Sequence, residues 1–292
     1  MSKVSVSIVI VSFNTKDLLS NCLDSLKDVS KEMSFEVIIS DNGSTDGTIE
    51  FIKQYAKKST FAIILLENKA NLGFAKANNS ARSIAKGEYV LFLNPDTIVH
   101  PGALTSSRSY LHNNSDVGAV TCKVVLPDGT LDRDTRRRFP TPFISLSHFS
   151  YLDRLFPKSV FDTYWYNDIS AETTHDIEAM QGAYFFARKS VLDLVDWFDT
   201  DYFLDGEDID LSFKIHEAGY RLVYNPEATI LHIKKGSKSK NRSLRSVVGG
   251  VEAMKLFYKK RLWSRYSLPV NMLVIFGITC MKYLRTALYY LS

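Results

Sequence analysis

Four polar stretches hold the residues of this chain that could do chemistry. The first is Asn94-Pro95-Asp96, where the apolar run from Glu88 through Leu93 stops at a short turn bearing one carboxylate. Ligands bind at the carboxyl ends of strands in a parallel α/β sheet. An Asp on a Pro-stiffened turn there can hold a hard divalent cation against the phosphates of a nucleotide; the same tripeptide also makes an ordinary strand-ending turn. The second stretch, residues 41–47, opens with Asp41 and Asn42. Asp41 suits recognition of a base or ribose edge through accepted hydrogen bonds, and suits a turn or helix cap as well. The third is the acidic group Asp205, Glu207, Asp208 and Asp210 at the start of a helix. Acids in a first helical turn complement the dipole, which accounts for one or two of them. Phe203 and Leu204 just before, with Ile209 and Leu211 within, point to a partly buried carboxylate, which beside a substrate can act as a general base. The fourth is His232, at the end of a short strand, either a structural imidazole or a metal ligand.

Elements that would carry these residues can be read from periodicity. Val4–Ser12 reads as a buried strand, and Asp17–Leu26 as a helix with Leu18, Leu19, Cys22, Leu23 and Leu26 on one face. Strands follow at Phe35–Ser40, Phe61–Leu66 and Tyr89–Leu93, separated by helices at Thr48–Lys57 and Phe74–Ala85. Alternation of this kind predicts right-handed βαβ units and a parallel sheet. Its carboxyl edge would gather Ser12-Phe13-Asn14, Asp41-Asn42 and Asn94-Pro95-Asp96. Beyond residue 110 the reading gives strands at Gly118–Leu126, Gly182–Ala187, Tyr220–Tyr224 and Ala228–His232, and helices near Ser190–Asp196 and from Leu211. Residues 141–176 are aromatic-rich and carry no clear period.

Composition bounds the answer further. The 292 residues, 45% apolar and 12% aromatic, suffice for a large α/β domain with an extension. Cys22, Cys122 and Cys280 are three and widely spaced, which fits a reducing compartment and no disulfide framework. The chain starts as a strand, not as a secretion signal. Residues 233–292 hold thirteen Lys/Arg against Glu252 alone, so the tail carries +12 and, with a total of +4, the body −8. This basic segment runs into the apolar stretch Leu268–Met281, and that favours a membrane surface over nucleic acid, for which no recognisable module is present. Neither a Walker sequence nor a G-x-G-x-x-G after the first strand occurs, so phosphate charge would be met by metal and basic side chains.

Taken in order, these stretches resemble family 2 glycosyltransferases of the GT-A fold. The motifs are Ser7–Asn14, Asp41–Gly47, Asn71–Asn79, Gly87–Asp96, Gly182-Ala183 and Gly206–Leu211. They span about residues 4–260 and are most similar to the rhamnosyltransferases of bacterial O-antigen and cell-surface polysaccharide synthesis. The resemblance implies a nucleotide-sugar-binding half over 1–110, an acceptor and catalytic half over 111–235, and a membrane-associating tail over 236–292. It implies that Ser12, Phe13, Asn14, Asp41 and Asn42 bind base and ribose, and that Asn71, Gly73, Phe74 and Asn78 line the nucleotide-sugar pocket. Asp96 matches the last acid of a D-x-D-like metal motif whose first position here is Asn94, and His232 matches a His that can complete the shell of Mg²⁺ or Mn²⁺. Asp208 matches the catalytic base, with Glu207 beside it. Arg136, Arg137 and Arg138, with Gly182 and Ala183, match an acceptor or diphosphate region.

The reaction so implied is direct displacement with inversion, Asp208, ionised at a helix N-terminus, taking the acceptor proton. The donor is dTDP-L-rhamnose and the acceptor a saccharide on a polyprenyl diphosphate, met at the cytoplasmic face of the membrane by a peripheral protein. A UDP-sugar donor is the alternative within the class, and a non-catalytic membrane-bound scaffold the alternative outside it. A sugar nucleotidyltransferase calls for a Gly-rich N-terminal loop, and no glycine precedes Gly43. For the tail, Arg242, Arg245, Lys255, Lys259, Lys260, Arg261 and Arg265 are expected at an anionic lipid surface, with Trp263, Tyr266 and Tyr283 at headgroup level.

Overall fold

The computed structural model describes residues 4–234 and 244–291. Its centre is a mixed sheet of nine strands: β1 (Val6–Ser12), β2 (Phe35–Asp41), β3 (Ala62–Glu67), β4 (Tyr89–Leu93), β5 (Thr97–Val99), β6 (Val117–Val125), β7 (His175–Ile177), β8 (Tyr184–Arg188) and β9 (Arg221–His232). The order is β3-β2-β1-β4-β8-β6-β9-β5, with β7 pairing β9 outside that path. The half formed by β3, β2, β1 and β4 is parallel, as alternation with α1 (Lys16–Val29), α2 (Thr48–Ala56) and α3 (Phe74–Asn79) requires.

Burial explains these strands. Every residue of β2 and β4 is buried, the pattern of strands covered on both faces. Successive side chains alternate between two cores: Ile8, Ile10, Val37 and Ile39 meet Leu19, Cys22, Leu23 and Leu26 of α1, while Val9, Ile38, Val90 and Phe92 face Ala75, Phe185 and Trp197 on the other side.

Beyond β4 the wholly parallel expectation fails. β8 inserts antiparallel between β4 and β6, because a long excursion through α4 (Ala103–Asn113), α5 (Pro142–Phe149) and α6 (Leu152–Leu155) reverses its direction of entry. The two short strands expected at 220–224 and 228–232 are one strand, β9, with a register shift opposite Cys122 and Lys123. The helix at 74 ends at Asn79, not Ala85. α7 (Lys189–Leu194) and α8 (Glu207–Glu217) complete the body.

The segment after 243 is not a detached tail. α9 (Leu244–Phe257) and the π-helical turn Tyr258–Leu262 pack Ala253, Phe257, Tyr258 and Leu262 against Phe139, Tyr202 and Phe213 in a third apolar cluster. Arg261 clamps fully buried Asp210 through two hydrogen bonds of 2.7 and 2.9 Å. α10 (Leu268–Leu291) then runs 24 residues, well past the expected apolar stretch. It is long and apolar enough to cross a bilayer, at about 36 Å for 1.5 Å per residue. Only Asn271 and Ile278 of it are buried.

Candidate active site

Three parallel strand ends converge as the alternation requires. Ser12 Oγ donates to Asp41 Oδ2 (2.7 Å), as does Ser44 Oγ (2.7 Å), while Gly43 and Ser44 donate backbone N–H groups to Asp41 Oδ1 at 3.0 and 2.8 Å. Asp41 is fully buried, so its carboxylate organises its own loop. The rim is left to Phe13, 45% exposed, and to Asn14, whose Oδ1 accepts from Thr45 N at 2.7 Å. Asn42 ties down the next loop, donating to Gly73 O (3.3 Å) and accepting from Asn68 Nδ2 (3.0 Å). Asn71 Oδ1 accepts from Gly73 N at 3.0 Å. Gly73 has φ +80°, and a Cβ there would lie 2.4 Å from Phe203 O. Only glycine fits, and Phe74 N donates to the same carbonyl at 2.8 Å. The donor-side loop is thereby stitched to the loop before α8. Asn78 is buried and spends its amide on the Phe74 carbonyl one turn back (3.0 Å).

That stitching frames a cleft of about 590 Å³. Phe74 and Asn94 line it from the donor half, Gly182 and Ala183 from its floor, and Glu207 and Asp208 from the first turn of α8. Asp208 Oδ2 accepts from Arg137 Nη2 at 2.7 Å and from Gly182 N at 3.3 Å. Arg137 is held in turn by Met180 O at 3.1 Å. Burial works against the Arg137 charge, but the Asp208 carboxylate outweighs it and the guanidinium pKa is raised. Glu207 is the reverse case: its carboxyl is buried, Oε2 has no hydrogen-bond partner, and burial followed by the Asp208 charge pushes its pKa up to about 8. Two neighbouring acids are therefore held in different environments, the pattern that separates acid and base roles.

Asp96 and His232 come together across β5 and β9, whose register pairs Thr97 with His232. His232 Nε2 lies 3.2 Å from Asp96 Oδ1, and Nδ1 lies 3.0 Å from Asp132 Oδ2. Burial would lower the imidazole pKa, but the hydrogen bonds to Asp132 and Asp96 hold it up at about 9. Burial raises the Asp132 pKa, and contacts with His232 and Lys234 bring it well below the carboxylate range. Asp132 behind Nδ1 is the kind of carboxylate that orients a metal-ligating His, and a cation taken at Nε2 would have to displace the proton now shared with Asp96. Among the described residues no three His, Cys, Asp or Glu side chains converge as a metal cage. The chain thus offers two donors, Asp96 and His232 Nε2, which suits a hard cation that takes its other ligands from phosphate and water.

Two of the three expected arginines turn away. Arg137 pairs in an isolated antiparallel bridge with Ala179, and in extended chain its neighbours point to the opposite face. Arg136 packs over Tyr224 and donates to Ile169 O (2.9 Å). Arg138 stacks on Tyr166 and donates to Thr163 O (3.0 Å). Neither lines the cleft. In the tail, Lys260, Arg261 and Arg265 are paired with Asp199 and Asp201, Asp210, and Glu217 respectively, so part of the basic charge expected at a lipid surface is taken up by the body's own acids. Arg242 and the side chain of Arg245 lie outside the described residues.

Sequence reasoning missed Asp132, Asp134, Tyr164 and Arg285 as site residues, and gave Asp205 only as one of the acids at the start of α8. Asp134, Asp205, Tyr164 and Arg285 line the cleft, and Asp132 backs His232. Pairs of acids in the turn-rich 128–134 stretch were the available signal for the first two; Arg285, distant in sequence, gave none.

Residues 7–174 match the family model described as glycosyl transferase family 2. Across 247 residues the chain is 28% identical to N-acetylglucosaminyl-diphospho-decaprenol L-rhamnosyltransferase of Mycobacterium tuberculosis, covering 80% of this chain and 78% of that protein. Over 118 residues it is 38% identical to poly(ribitol-phosphate) beta-glucosyltransferase of Bacillus spizizenii, covering 39% of this chain and 18% of that one. In fold it is similar to GalNAc-T7 solved with UDP, GalNAc and Mn²⁺ (TM-score 0.64, 15% identity, 89% of this chain and 49% of that one). It is likewise similar to S. aureus TarS 1-349 solved with UDP-GlcNAc (TM-score 0.58, 18% identity, 87% and 66%).

Proposed function

The chain belongs to glycosyl transferase family 2, and on that footing we propose an inverting, divalent-dependent rhamnosyltransferase. It moves L-rhamnose from dTDP-L-rhamnose onto a lipid-linked saccharide at the cytoplasmic face of the membrane. The observation that carries the reaction class is Asp208, at the head of α8, in one cleft with Asn94 and Phe74 of the nucleotide half. The sugar and acceptor rest on similarity to the mycobacterial relative over four-fifths of this chain.

In this reading Phe13 and Asn14 meet the base at the rim, and the Asn42–Asn71–Gly73 loop positions the donor. The acceptor hydroxyl oxygen forms a bond to the anomeric carbon while the bond from that carbon to the diphosphate breaks, its electron pair leaving with the nucleoside diphosphate. Asp208 takes the hydroxyl proton, and Arg137 with Gly182 N fixes the carboxylate. Burial and the Asp208 charge both raise the Glu207 pKa, which disfavours a second negative charge beside the base. Asp96 and His232 are the residues that would hold a divalent ion, which would supply neutralisation of the diphosphate charge.

Membrane attachment is read from α10. Met272, Phe276, Leu284, Leu288 and Leu291 are each more than half exposed and recur at helical spacing on one outward stripe. Phe143 and Leu146 of α5, also exposed, lie beside α10, and exposed apolar patches of this kind mark membrane or protein contacts. Attachment by this surface is mainly hydrophobic, because much of the basic flank is internally paired.

The test is a thermal-shift screen of dTDP, UDP and GDP with Mg²⁺ or Mn²⁺, followed by transfer from dTDP-L-rhamnose and the product's anomeric configuration. Turnover only with UDP-sugars would refute the sugar. Activity persisting in EDTA after Asp96→Ala would refute the metal role, and a retained anomer would refute inversion.

A further inference from the structure

Beside the active cleft lies a second groove, of about 350 Å³, between α5 and α10. α5 supplies Phe143, Leu146 and Phe149, and α10 supplies Val274, Ile278 and Met281. Tyr258, one of its few polar residues, has its hydroxyl bonded to Asn271 Oδ1 at 2.6 Å. The groove adjoins the cleft: Pro140 and Met254 line both.

One face of α10 connects the two. Val270, Val274, Gly277, Ile278 and Met281 line the groove, and Arg285, one turn beyond Met281, lines the cleft. Arg285 has no carboxylate partner among the described residues, whereas Lys282 on the same helix is bound to Glu252. A hydrocarbon wall thus leads to a cation, and the cation leads to the general base. Gly277 sharpens the point. It sits mid-helix, where glycine costs roughly 1 kcal/mol relative to alanine, yet a Cβ there would meet no atom within 4 Å. No packing demand among the described residues accounts for it, and its lack of a side chain keeps the groove open.

We infer that this groove seats the head-proximal part of the acceptor's hydrocarbon chain, with Arg285 against the anionic linkage and the saccharide in the cleft at Asp208. The inference rests on the lipid-linked acceptor proposed above. The volume is near the lower end for ligand pockets, roughly 300–1,000 Å³, so it holds the first units of a long chain and leaves the rest to the bilayer. Burial of apolar chain on an apolar wall provides the affinity, and the cation fixes the register in which a sugar reaches the base.

The experiment measures binding of farnesyl diphosphate and of inorganic diphosphate to the full-length protein, with the donor site saturated by nucleoside diphosphate and Mg²⁺. Wild type is expected to bind farnesyl diphosphate at least about tenfold tighter, the factor set by one well-buried apolar segment worth about 1.4 kcal/mol. Gly277→Phe, which fills open space, should abolish that preference and leave inorganic diphosphate binding unchanged. Gly277→Ala should keep it, and Arg285→Gln should weaken both ligands by a similar factor. An unchanged preference in Gly277→Phe overturns the proposal. So does equal competition by a short-chain phosphatidylglycerol, which would make the groove a general lipid seat. Transfer assays on a saccharide-bearing polyprenyl diphosphate stand apart: failure there with farnesyl diphosphate binding intact counts against the acceptor reading and not against the groove.

Discussion

Replacing Arg137 by methionine should be among the most damaging single changes near the cleft that leave the base itself in place. The guanidinium and the Asp208 carboxylate lie 2.7 Å apart with side chains only 11% and 13% exposed, so water screens the pair little. At an effective dielectric of about 20 and about 4 Å between charge centres, the attraction is about 4 kcal/mol. Removing one partner of a buried pair costs a similar amount, about 3–5 kcal/mol, because the other charge stays buried without compensation. Asp205 and Glu207 share the same cleft lining, so the orphaned carboxylate has acidic neighbours. For a chain of this size the melting temperature should fall by roughly 6–10 °C. Urea denaturation of wild type, Arg137→Met, Asp208→Asn and the double variant measures the coupling, expected at about 2–4 kcal/mol and within reach of such cycles. Additive effects, or an Arg137→Met variant within about 0.5 kcal/mol of wild type, would refute the assignment of this pair as the element that holds the base.

Asp208→Asn should reduce turnover by about 10²–10⁴-fold with nucleotide affinity near wild type by calorimetry; retention of most activity would remove Asp208 as base. Asp132→Asn should weaken Mn²⁺ binding, read by electron paramagnetic resonance, by about 10–100-fold through loss of the carboxylate behind His232, and unchanged affinity would dissociate Asp132 from the metal. Glu207 has a folded pKa raised to about 8 from an ordinary 4.5, so its contribution to stability is complete below about 4.5 and is lost as pH rises through about 8. Glu207→Gln should flatten stability over that window in denaturation at stepped pH, and an identical slope would contradict it. Full-length protein should sediment with anionic vesicles and be only partly released by salt, while Phe276→Glu with Leu284→Glu should stay in solution; sedimentation of that variant would move the contact away from α10.

The division of information follows from range. Local signals determined the parallel half of the sheet: the buried run of β4, the stripe on α1 and the turns after β1, β2 and β4 are each written within a dozen residues. They also placed Asp208 at a helix start and glycine at position 73. Tertiary structure alone decided what each charge faces. Asp41 reads equally as ligand group or loop organiser until Ser12, Gly43 and Ser44 are seen around it. Extended chain at 136–138 sends Arg137 to the base and its neighbours away, which composition cannot tell. Asp132 meets His232 across 100 residues, and Arg261 meets Asp210 across 51, so a run of basic residues that looks free in sequence proves partly bound to the body. Pairings of that length depend on the sheet order, and β8 entered that order antiparallel through a connection no local period encodes.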